Sequence, residues 1–292
     1  MRYWEATPPD ADARVTPNPV SMPASAMSGS GHRHDISPAA LDAMAALSRT
    51  PETLQRVVAA SREIIGFFPA HNPRALEYPW VIDQLPATLD GLRILDVGAG
   101  VNVLPVLLAR QGAAVVTLDN HPATRDPRER SDWNEWGFLD YSLIDPRVRS
   151  VRSSYETWSH ETRDTPRTFD CIYSVSVIEH VARTVRLAWI DAFRRQLAGG
   201  GLLLLTVDLV RDTDRLWNLC EGRPVEDPEV HGELATLLDE LGDAGFAVET
   251  VEVQRGIPDC RVDIGFIRAR KGKPASKGIR GWFDSVFRRG GG

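Results

Sequence analysis

From residue 92 onward, short apolar segments alternate with helical segments, and this alternation restricts the chain to a small set of folds. The four consecutive leucines at 202–205 show the pattern most clearly, because they suit a strand of a parallel sheet that is covered on both faces. Strands are predicted at 93–97, 115–118, 148–151, 169–174 and 202–207, and helices at about 102–110, 155–160, 181–197 and 229–243.

The alternation stops near the C-terminus. Strands predicted at 246–253 and 262–268 follow each other without a helix between them, so we expect an antiparallel pair at one edge of the sheet. Alternation with this ending predicts an α/β fold: a doubly wound, mostly parallel sheet with an antiparallel C-terminal edge hairpin, over residues 89–270.

Two regions precede the first strand. Residues 1–36 are rich in Pro, Ser and Ala, which is typical of a disordered arm. Ser37-Pro38, Thr50-Pro51 and Asn72-Pro73 each place a capping residue before a proline, which is a helix start signal. Residues 37–88 are therefore predicted to form an N-terminal helical cap of three helices.

Composition and charge exclude several classes of protein. The chain has 292 residues and a formal net charge of -6, but eight basic residues and one acidic residue from Arg268 onward give +7, which leaves -13 for the rest. An acidic body is a poor binder of nucleic acid, and no apolar run approaches the length of a membrane span. Three widely spaced cysteines and the lack of a secretory signal favour a cytoplasmic location.

The most informative motif is Leu-Asp-Val-Gly-Ala-Gly-Val-Asn at residues 95–102, where the first strand turns into a helix. Ligands of open α/β sheets bind at such strand ends. Gly98 and Gly100 let the backbone approach a ligand closely, and Asn102 is a good helix N-cap. Val103 stands where the dinucleotide fingerprint would have its third glycine, so a dinucleotide is disfavoured.

Two carboxylates indicate the chemistry of the ligand. Asp96 ends the first strand, where it would repel a pyrophosphate and suit a cationic amino group. Asp119 ends the second strand, where a carboxylate can accept hydrogen bonds from both ribose hydroxyls, and Asn120 follows it. A ligand with a ribose, a positive charge and no phosphate is S-adenosyl-L-methionine, which is the predicted cofactor.

The sequence resembles the class I S-adenosylmethionine-dependent methyltransferases over about residues 92–269, most specifically at 94–100, at Asp119 and at 169–181. The resemblance implies a seven-stranded sheet with one reversed strand. It places Asp96, Gly98, Gly100 and Asp119 against the cofactor and Ser176 beside the sulfonium. Relatives often hold the adenine with an acidic residue after the third strand, and here Ser153 or Ser154 would supply that contact.

Glu179 and His180 are the candidate catalytic residues. His180 would act as general base for a substrate hydroxyl. The alternative interpretation is structural, in which the pair opens the following helix and shapes the pocket floor. Similar methyltransferases carry a metal-binding Glu-x-x-Glu-His motif, but Ser176 stands where the first glutamate would be, so no metal is predicted.

A long, aromatic-rich segment joins the second and third strands, and we interpret it as a cover for an organic substrate; the alternative is a self-packed excursion. Aromatic residues of the helical cap would form the opposite wall. A carboxylate at the end of the fifth strand would contact substrate or cap the next turn. The candidate substrate residues are Tyr78, Trp80, Trp133, Trp136 and Asp208.

Residues 271–292 form a basic tail whose apolar residues fall on one stripe of a helix at 278–289. A basic amphipathic helix suits an anionic membrane surface, so peripheral contact with the inner membrane surface is one expectation. Docking onto the protein's own body and binding of an acidic partner are the alternatives.

Together these features predict a methyltransferase that acts on an oxygen or nitrogen of a small organic or glycan acceptor. A non-catalytic, nucleoside-binding α/β adaptor is the alternative, and an RNA-directed methyltransferase is the weaker enzyme alternative. No nucleic-acid partner is expected, and the oligomeric state is left open.

Overall fold

The computed structural model describes residues 34–128, 133–163, 168–217, 219–220, 223–224 and 231–272. The predicted arm, except for its last three residues, and the predicted amphipathic helix at 278–289 lie outside the described residues. The first residue of the predicted tail, Lys271, belongs instead to the last strand of the sheet.

Three helices form the predicted cap: α1 (Pro38–Leu47), α2 (Pro51–Ile64) and α3 (Arg74–Asp83). The Ser37 hydroxyl caps α1 by accepting a hydrogen bond from the Ala40 amide at 3.2 Å. The packed region begins slightly before residue 37, because Asp35 accepts a hydrogen bond from the Phe68 amide at 2.8 Å and Ile36 is buried.

The main sheet has seven strands, as predicted. They are β1 (Arg93–Val97), β2 (Ala114–Asp119), β3 (Val148–Arg152), β4 (Phe169–Val175), β5 (Leu197–Val210), β6 (Phe246–Gln254) and β7 (Val262–Lys271). Their order across the sheet is β6-β7-β5-β4-β1-β2-β3. β7 is antiparallel to both of its neighbours and every other pairing in this sheet is parallel, which confirms the doubly wound fold with an antiparallel edge hairpin.

Four helices connect the strands: α4 (Leu104–Arg110), α5 (Tyr155–Glu161), α6 (Arg183–Gln196) and α7 (Leu234–Asp243). Three begin later than the sequence suggested, among them α6, which starts at Arg183 instead of residue 181. α4 starts at Leu104 instead of residue 102, and the start predicted for α7 at residue 229 falls outside the described residues. None of the described helices has the length and apolar character needed to cross a bilayer.

Apolar side chains of β5 contribute to clusters on both faces of the sheet. Leu202 and Leu204 belong to the cluster that includes the cap, whereas Leu203 and Leu205 belong to the cluster beneath α6 and α7. Successive side chains of a strand point to opposite faces, so an unbroken leucine run is buried on both. This double cover leaves the carboxyl edge of the parallel strands as the place where a ligand can enter.

Candidate active site

A cavity of about 910 Å³ opens at the carboxyl edge of the parallel strands. The ends of β1, β2, β4 and β5 line it, together with α3 of the cap and the turn between β6 and β7. The structure brings most of the predicted site residues to this cavity: Asp96, Gly98, Gly100, Asn102, Asp119, Asn120, Ser153, Ser154, Ser176, Tyr78, Trp136, Asp208 and His180.

Three predicted residues do not line this cavity. Trp80 packs against Phe266 with ring centroids 5.2 Å apart and lines a separate cavity of about 180 Å³. Trp133 is 2% exposed and belongs to the apolar core cluster that includes the cap and one face of the sheet. Glu179 is wholly buried behind the cavity wall. The aromatic segment therefore contributes Trp136, which is 61% exposed, but not Trp133, to the cavity wall.

The glycine turn after β1 adopts backbone angles that favour glycine. Gly98 has a φ of 77° and Gly100 a φ of 55°, and a Cβ on Gly98 would overlap the Val177 side chain. Asp119 holds this turn from the end of β2, because its Oδ2 accepts a hydrogen bond from the Gly100 amide at 2.8 Å. Its Oδ1 accepts a second bond from the His121 amide at 2.7 Å. Asp119 is thus fixed in orientation beside the cavity.

Tyr141 also holds the glycine turn, through its hydroxyl, a role that the sequence did not indicate. Its buried hydroxyl accepts a hydrogen bond from the Asn102 amide at 2.9 Å and donates one to the Gly100 carbonyl at 3.0 Å. The Asn102 side chain accepts a bond from the Leu104 amide at 2.7 Å, but Val103 and not Asn102 occupies the N-cap position of α4, because the helix begins two residues later than predicted.

Asp96 is a buried carboxylate in the cavity wall. Burial raises its pKa to about 7, and the charge of Asp119 acts in the same direction. Hydrogen bonds with Tyr173 and Asn102 oppose the rise, the former joining the Tyr173 hydroxyl to Asp96 Oδ2 at 2.9 Å. A cationic ligand group beside Asp96 would favour its ionised form.

The wall after β3 offers both predicted serines and one further donor. The Ser154 hydroxyl caps α5 by accepting a bond from the Thr157 amide at 3.2 Å, and the Ser153 hydroxyl donates to the Ser154 carbonyl at 3.1 Å. Trp189 of α6 lines the same cavity, and its buried indole N–H has no hydrogen-bond partner within the described part of the chain. Sequence reasoning missed Trp189, since it lies on an ordinary helical stripe.

The opposite side of the cavity carries a buried ion pair from the cap. Arg74 and Glu77, three residues apart on α3, are joined at 2.6 Å. The hydroxyls of Ser176 and Thr206 also donate to Glu77, each at 2.6 Å. Burial by itself would raise the pKa of Glu77, but the charge of Arg74 and these hydrogen bonds outweigh it and lower the pKa.

His71 also lines the cavity, beside this ion pair. Burial lowers its pKa to about 4, with a further lowering from the Arg74 charge, so its imidazole is neutral near pH 7. The one sequence signal for His71, Arg74 and Glu77 is that titratable residues stand within a largely apolar segment of the cap.

Asp208 and Glu179 form a pair of carboxyl groups near Glu77. Asp208 Oδ1 lies 3.1 Å from the Ser176 hydroxyl, while the Asp208 backbone amide donates to Glu179 Oε1 at 2.9 Å. Burial, with the nearby charge of Glu77, raises the pKa of Asp208 to about 7. Burial and then the charge of Asp208 raise the pKa of Glu179 well above its usual range.

His180 lies at the exposed end of the short helical turn that follows β4 and lines the cavity. Among the residues that the structure describes, no group of three or more His, Cys, Asp or Glu side chains is arranged to hold a metal ion.

Comparison with known proteins identifies the family of this chain. Residues 68–251, more than half of the chain, match a family described as a methyltransferase domain. The chain belongs to the class I S-adenosylmethionine-dependent methyltransferase family. S-adenosyl-L-methionine is therefore the cofactor of this methyltransferase, as the glycine turn and its two carboxylates suggested.

Curated relatives of this methyltransferase match only in part. It is 33% identical over 126 residues to the mitochondrial ubiquinone biosynthesis O-methyltransferase of Bos taurus. This match covers 39% of this chain and 31% of the bovine protein. It is 31% identical over 154 residues to the ubiquinone biosynthesis O-methyltransferase of Cereibacter sphaeroides. This match covers 47% of this chain and 54% of the bacterial protein. The chain thus spans about a third to a half of the length of these two relatives.

Solved structures support the fold of the methyltransferase. A Listeria monocytogenes protein described as an S-adenosylmethionine-dependent methyltransferase superposes with a TM-score of 0.50 at 15% identity. The match covers 68% of this chain and 98% of that one.

Proposed function

We propose that this protein transfers the methyl group of S-adenosylmethionine to an oxygen or nitrogen of a small organic or glycan acceptor. The observation that carries the proposal is the large cavity described above, which has the glycine turn, Asp96 and Asp119 on one side and the helical cap on the other. The names of the curated relatives, which refer to ubiquinone biosynthesis, support a small organic acceptor.

The cofactor supplies an activated methyl group on a sulfonium, and the protein contributes binding and alignment. Asp96 suits the cationic amino group of the cofactor, since burial leaves this carboxylate in need of a positive partner. Asp119, with Asn120 beside it, suits the ribose hydroxyls, and Gly98 and Gly100 allow the methionine part to approach the backbone. Arg74 suits the carboxylate of the cofactor, because a guanidinium has five N–H donors and Glu77 does not use them all.

The adenine fits the wall after β3. The unpartnered N–H of Trp189 suits a ring nitrogen of the adenine, and Ser153 and Ser154 border the same region. An indole N–H buried without a partner costs free energy that a bound acceptor atom would restore. The residues present therefore fit the cofactor along its whole length.

The two candidate catalytic residues take different roles in this proposal. Glu179 does not line the cavity and acts as a positioning residue, since it holds the backbone of Asp208 at the end of β5. His180 lines the cavity wall and keeps its proposed role as a general base for a hydroxyl acceptor.

Titration calorimetry with S-adenosylhomocysteine tests the cofactor site. We expect one site per chain in the intact protein and affinity weaker by about 100-fold in Asp119→Ala, because two hydrogen bonds to a carboxylate contribute about 3 kcal/mol. Asp239→Ala, on the exposed face of α7, is the matched control and should bind like the unaltered protein. Absence of binding by the intact protein would reject the enzyme and leave no support for the nucleoside-binding adaptor either.

Mass spectrometry tests the reaction itself. Incubation with S-adenosylmethionine labelled in the methyl group and a metabolite extract should give a labelled small molecule, and loss of label in Asp119→Ala would assign it to this protein. Binding of S-adenosylhomocysteine without any labelled product would favour the adaptor.

We also propose that the protein works in the cytoplasm and that residues 278–289 bring it to an anionic membrane surface. The basic residues and the apolar stripe of this segment support the proposal. Deletion of residues 273–292 should abolish pelleting with anionic liposomes, and pelleting equal to that of the full chain would reject the idea.

A further inference from the structure

The side of the cavity next to the helical cap and the end of β5 carries more carboxylates than cations, and we call it the acceptor side. We call Glu77, Glu135, Glu179 and Asp208 the acidic wall. Glu135 and Asp208 line the cavity directly, and Glu77 and Glu179 lie behind Asp208. Burial raises the pKa values of Glu135, Glu179 and Asp208, because desolvation disfavours their charged forms, and a cation bound beside them would favour ionisation.

Few positive charges on this side offset the acidic wall. Arg74 is 2.6 Å from Glu77, and its distance to Glu135 Oε2 is 4.0 Å. His71 adds no charge near pH 7, because burial lowers its pKa to about 4. Arg261 also lines the cavity but is exposed to solvent, which screens its charge. The wall therefore suits a ligand that brings a positive charge with it.

Glu135 gives a second, independent indication. Its Oε2 atom is buried and has no hydrogen-bond partner within the described residues. A carboxylate oxygen without a donor in a buried position is costly, so a donor from a bound molecule would stabilise it. A protonated amine has donors and charge in one group.

Building on the methyl-transfer function proposed above, we propose that the acceptor atom is the nitrogen of a cationic small-molecule amine and that Asp208 takes the ammonium proton. Asp208 is well placed for this step, since its Oδ1 is 3.1 Å from the hydroxyl of Ser176, the residue expected beside the sulfonium. A proton acceptor there would be close to a nitrogen that approaches the methyl group beside Ser176.

The step balances in atoms and charge. The ammonium R–NH3+ gives one proton to the Asp208 carboxylate, which leaves a neutral amine with a lone pair. The nitrogen lone pair forms the N–C bond to the methyl group as the C–S bond breaks, and the bonding pair of that C–S bond stays on sulfur. The products are R–NH2–CH3+ and neutral S-adenosylhomocysteine thioether, and Asp208 then releases its proton to water.

Anionic acceptors fit this side poorly. A carboxylate or a phenolate would gain no free buried cation there, since Arg74 is already paired with Glu77, and an ionised Asp208 or Glu135 would repel it. The wall thus favours a different acceptor from the oxygen that the name O-methyltransferase gives for its curated relatives.

The experiment uses the full chain with saturating S-adenosylhomocysteine and matched sets of three small molecules. Each set has one carbon skeleton that ends in an amine, an alcohol or a carboxylate, for example phenethylamine, 2-phenylethanol and phenylacetate. Calorimetry measures their binding to the unaltered protein, Asp208→Asn, Glu135→Gln and the surface control Glu161→Gln. Label transfer from S-adenosylmethionine to the same sets is measured by mass spectrometry.

We expect the amines to bind at least tenfold tighter than the alcohols and the carboxylates not to bind. This preference should disappear in Asp208→Asn and weaken in Glu135→Gln, while the affinity for S-adenosylhomocysteine stays within threefold in both. Label should reach amines alone, and Asp208→Asn should lower kcat more than it raises KM. The Glu161→Gln control should behave like the unaltered protein.

Equal or tighter binding of the alcohols or carboxylates overturns the proposal, and so does label found on oxygen. An unchanged amine preference in Asp208→Asn also overturns it. Failure of S-adenosylhomocysteine to bind the intact protein is a different result, because it rejects the methyltransferase function on which the acceptor class depends.

Discussion

Replacing Tyr141 with phenylalanine tests how the glycine turn is held. The Tyr141 ring is wholly buried, and its hydroxyl joins the Gly100 carbonyl and the Asn102 amide at 3.0 and 2.9 Å. Tyr141→Phe keeps the ring and removes only the hydroxyl, so any effect comes from these two hydrogen bonds.

The expected loss follows from the two backbone groups that the change leaves unpaired. Each buried, unpaired polar group costs about 1–3 kcal/mol. Because the turn borders an open cavity and water can reach part of it, we expect the free energy of unfolding to fall by about 2–4 kcal/mol. Movement of Gly100 would also disturb its bond to Asp119, and we expect the affinity for S-adenosylhomocysteine to fall about tenfold, or about 1.4 kcal/mol.

Chemical denaturation and calorimetry measure these two effects. Ser61→Ala is the matched control, because the buried Ser61 hydroxyl also donates to a backbone carbonyl, that of Phe67 at 2.6 Å, but within the cap. The control should lose about 1 kcal/mol of stability and keep its affinity. If Tyr141→Phe binds S-adenosylhomocysteine as tightly as the unaltered protein, the hydroxyl does not position the turn and the reasoning is wrong.

Three further predictions follow from the same geometry. Gly98→Ala should abolish S-adenosylhomocysteine binding, because a Cβ at this position would overlap the Val177 side chain. Gly91, which has a similar φ of 75° and nothing within 4 Å of an added Cβ, is the control, and Gly91→Ala should lower only the stability. Calorimetry compares the affinities of the two variants. Burial raises the pKa of Asp96 to about 7, so in the folded protein without ligand Asp96 keeps its proton between about pH 4 and 7. Affinity for S-adenosylhomocysteine, whose amino group is cationic, should therefore rise with pH up to about 7 and then level off, and Asp96→Asn should flatten this pH dependence, as measured by calorimetry. Arg186→Met should cost about 3 kcal/mol in chemical denaturation, because it leaves the buried Glu240 carboxylate, now 2.8 Å from Arg186, without its main partner.

The sequence alone predicted most of the fold, because strand and helix patterns are local. All seven main-sheet strands, the edge hairpin and the three cap helices lie close to their predicted positions. β5 is longer than predicted, Leu197–Val210 instead of 202–207, because pairing with β7 extends its C-terminal end to Val210 and Leu197 at its N-terminal end pairs with β4. A ladder partner of this kind leaves no trace in the sequence of the strand itself.

The site shows the same division. Asp96, the glycines and Asp119 were predictable, since they follow strand ends at fixed spacing. Trp80 was misplaced for a physical reason. Its aromatic character within the cap predicts a place in the cavity wall, but α3 directs it toward Phe266 and a separate small cavity. Helix rotation against the sheet depends on packing partners far along the chain, which spacing alone does not show.

The sequence by itself determined the α/β fold, the glycine turn after β1 and the two carboxylates beside it, because each depends on residues close together in the chain. Only the tertiary structure decided the character of the acceptor side. The contact between Glu77 and Thr206 joins residues 129 positions apart, and the one between Glu77 and Ser176 joins residues 99 positions apart. Burial of these groups together, away from water, shifts their pKa values and makes the acidic wall, and burial is a property that no local pattern encodes.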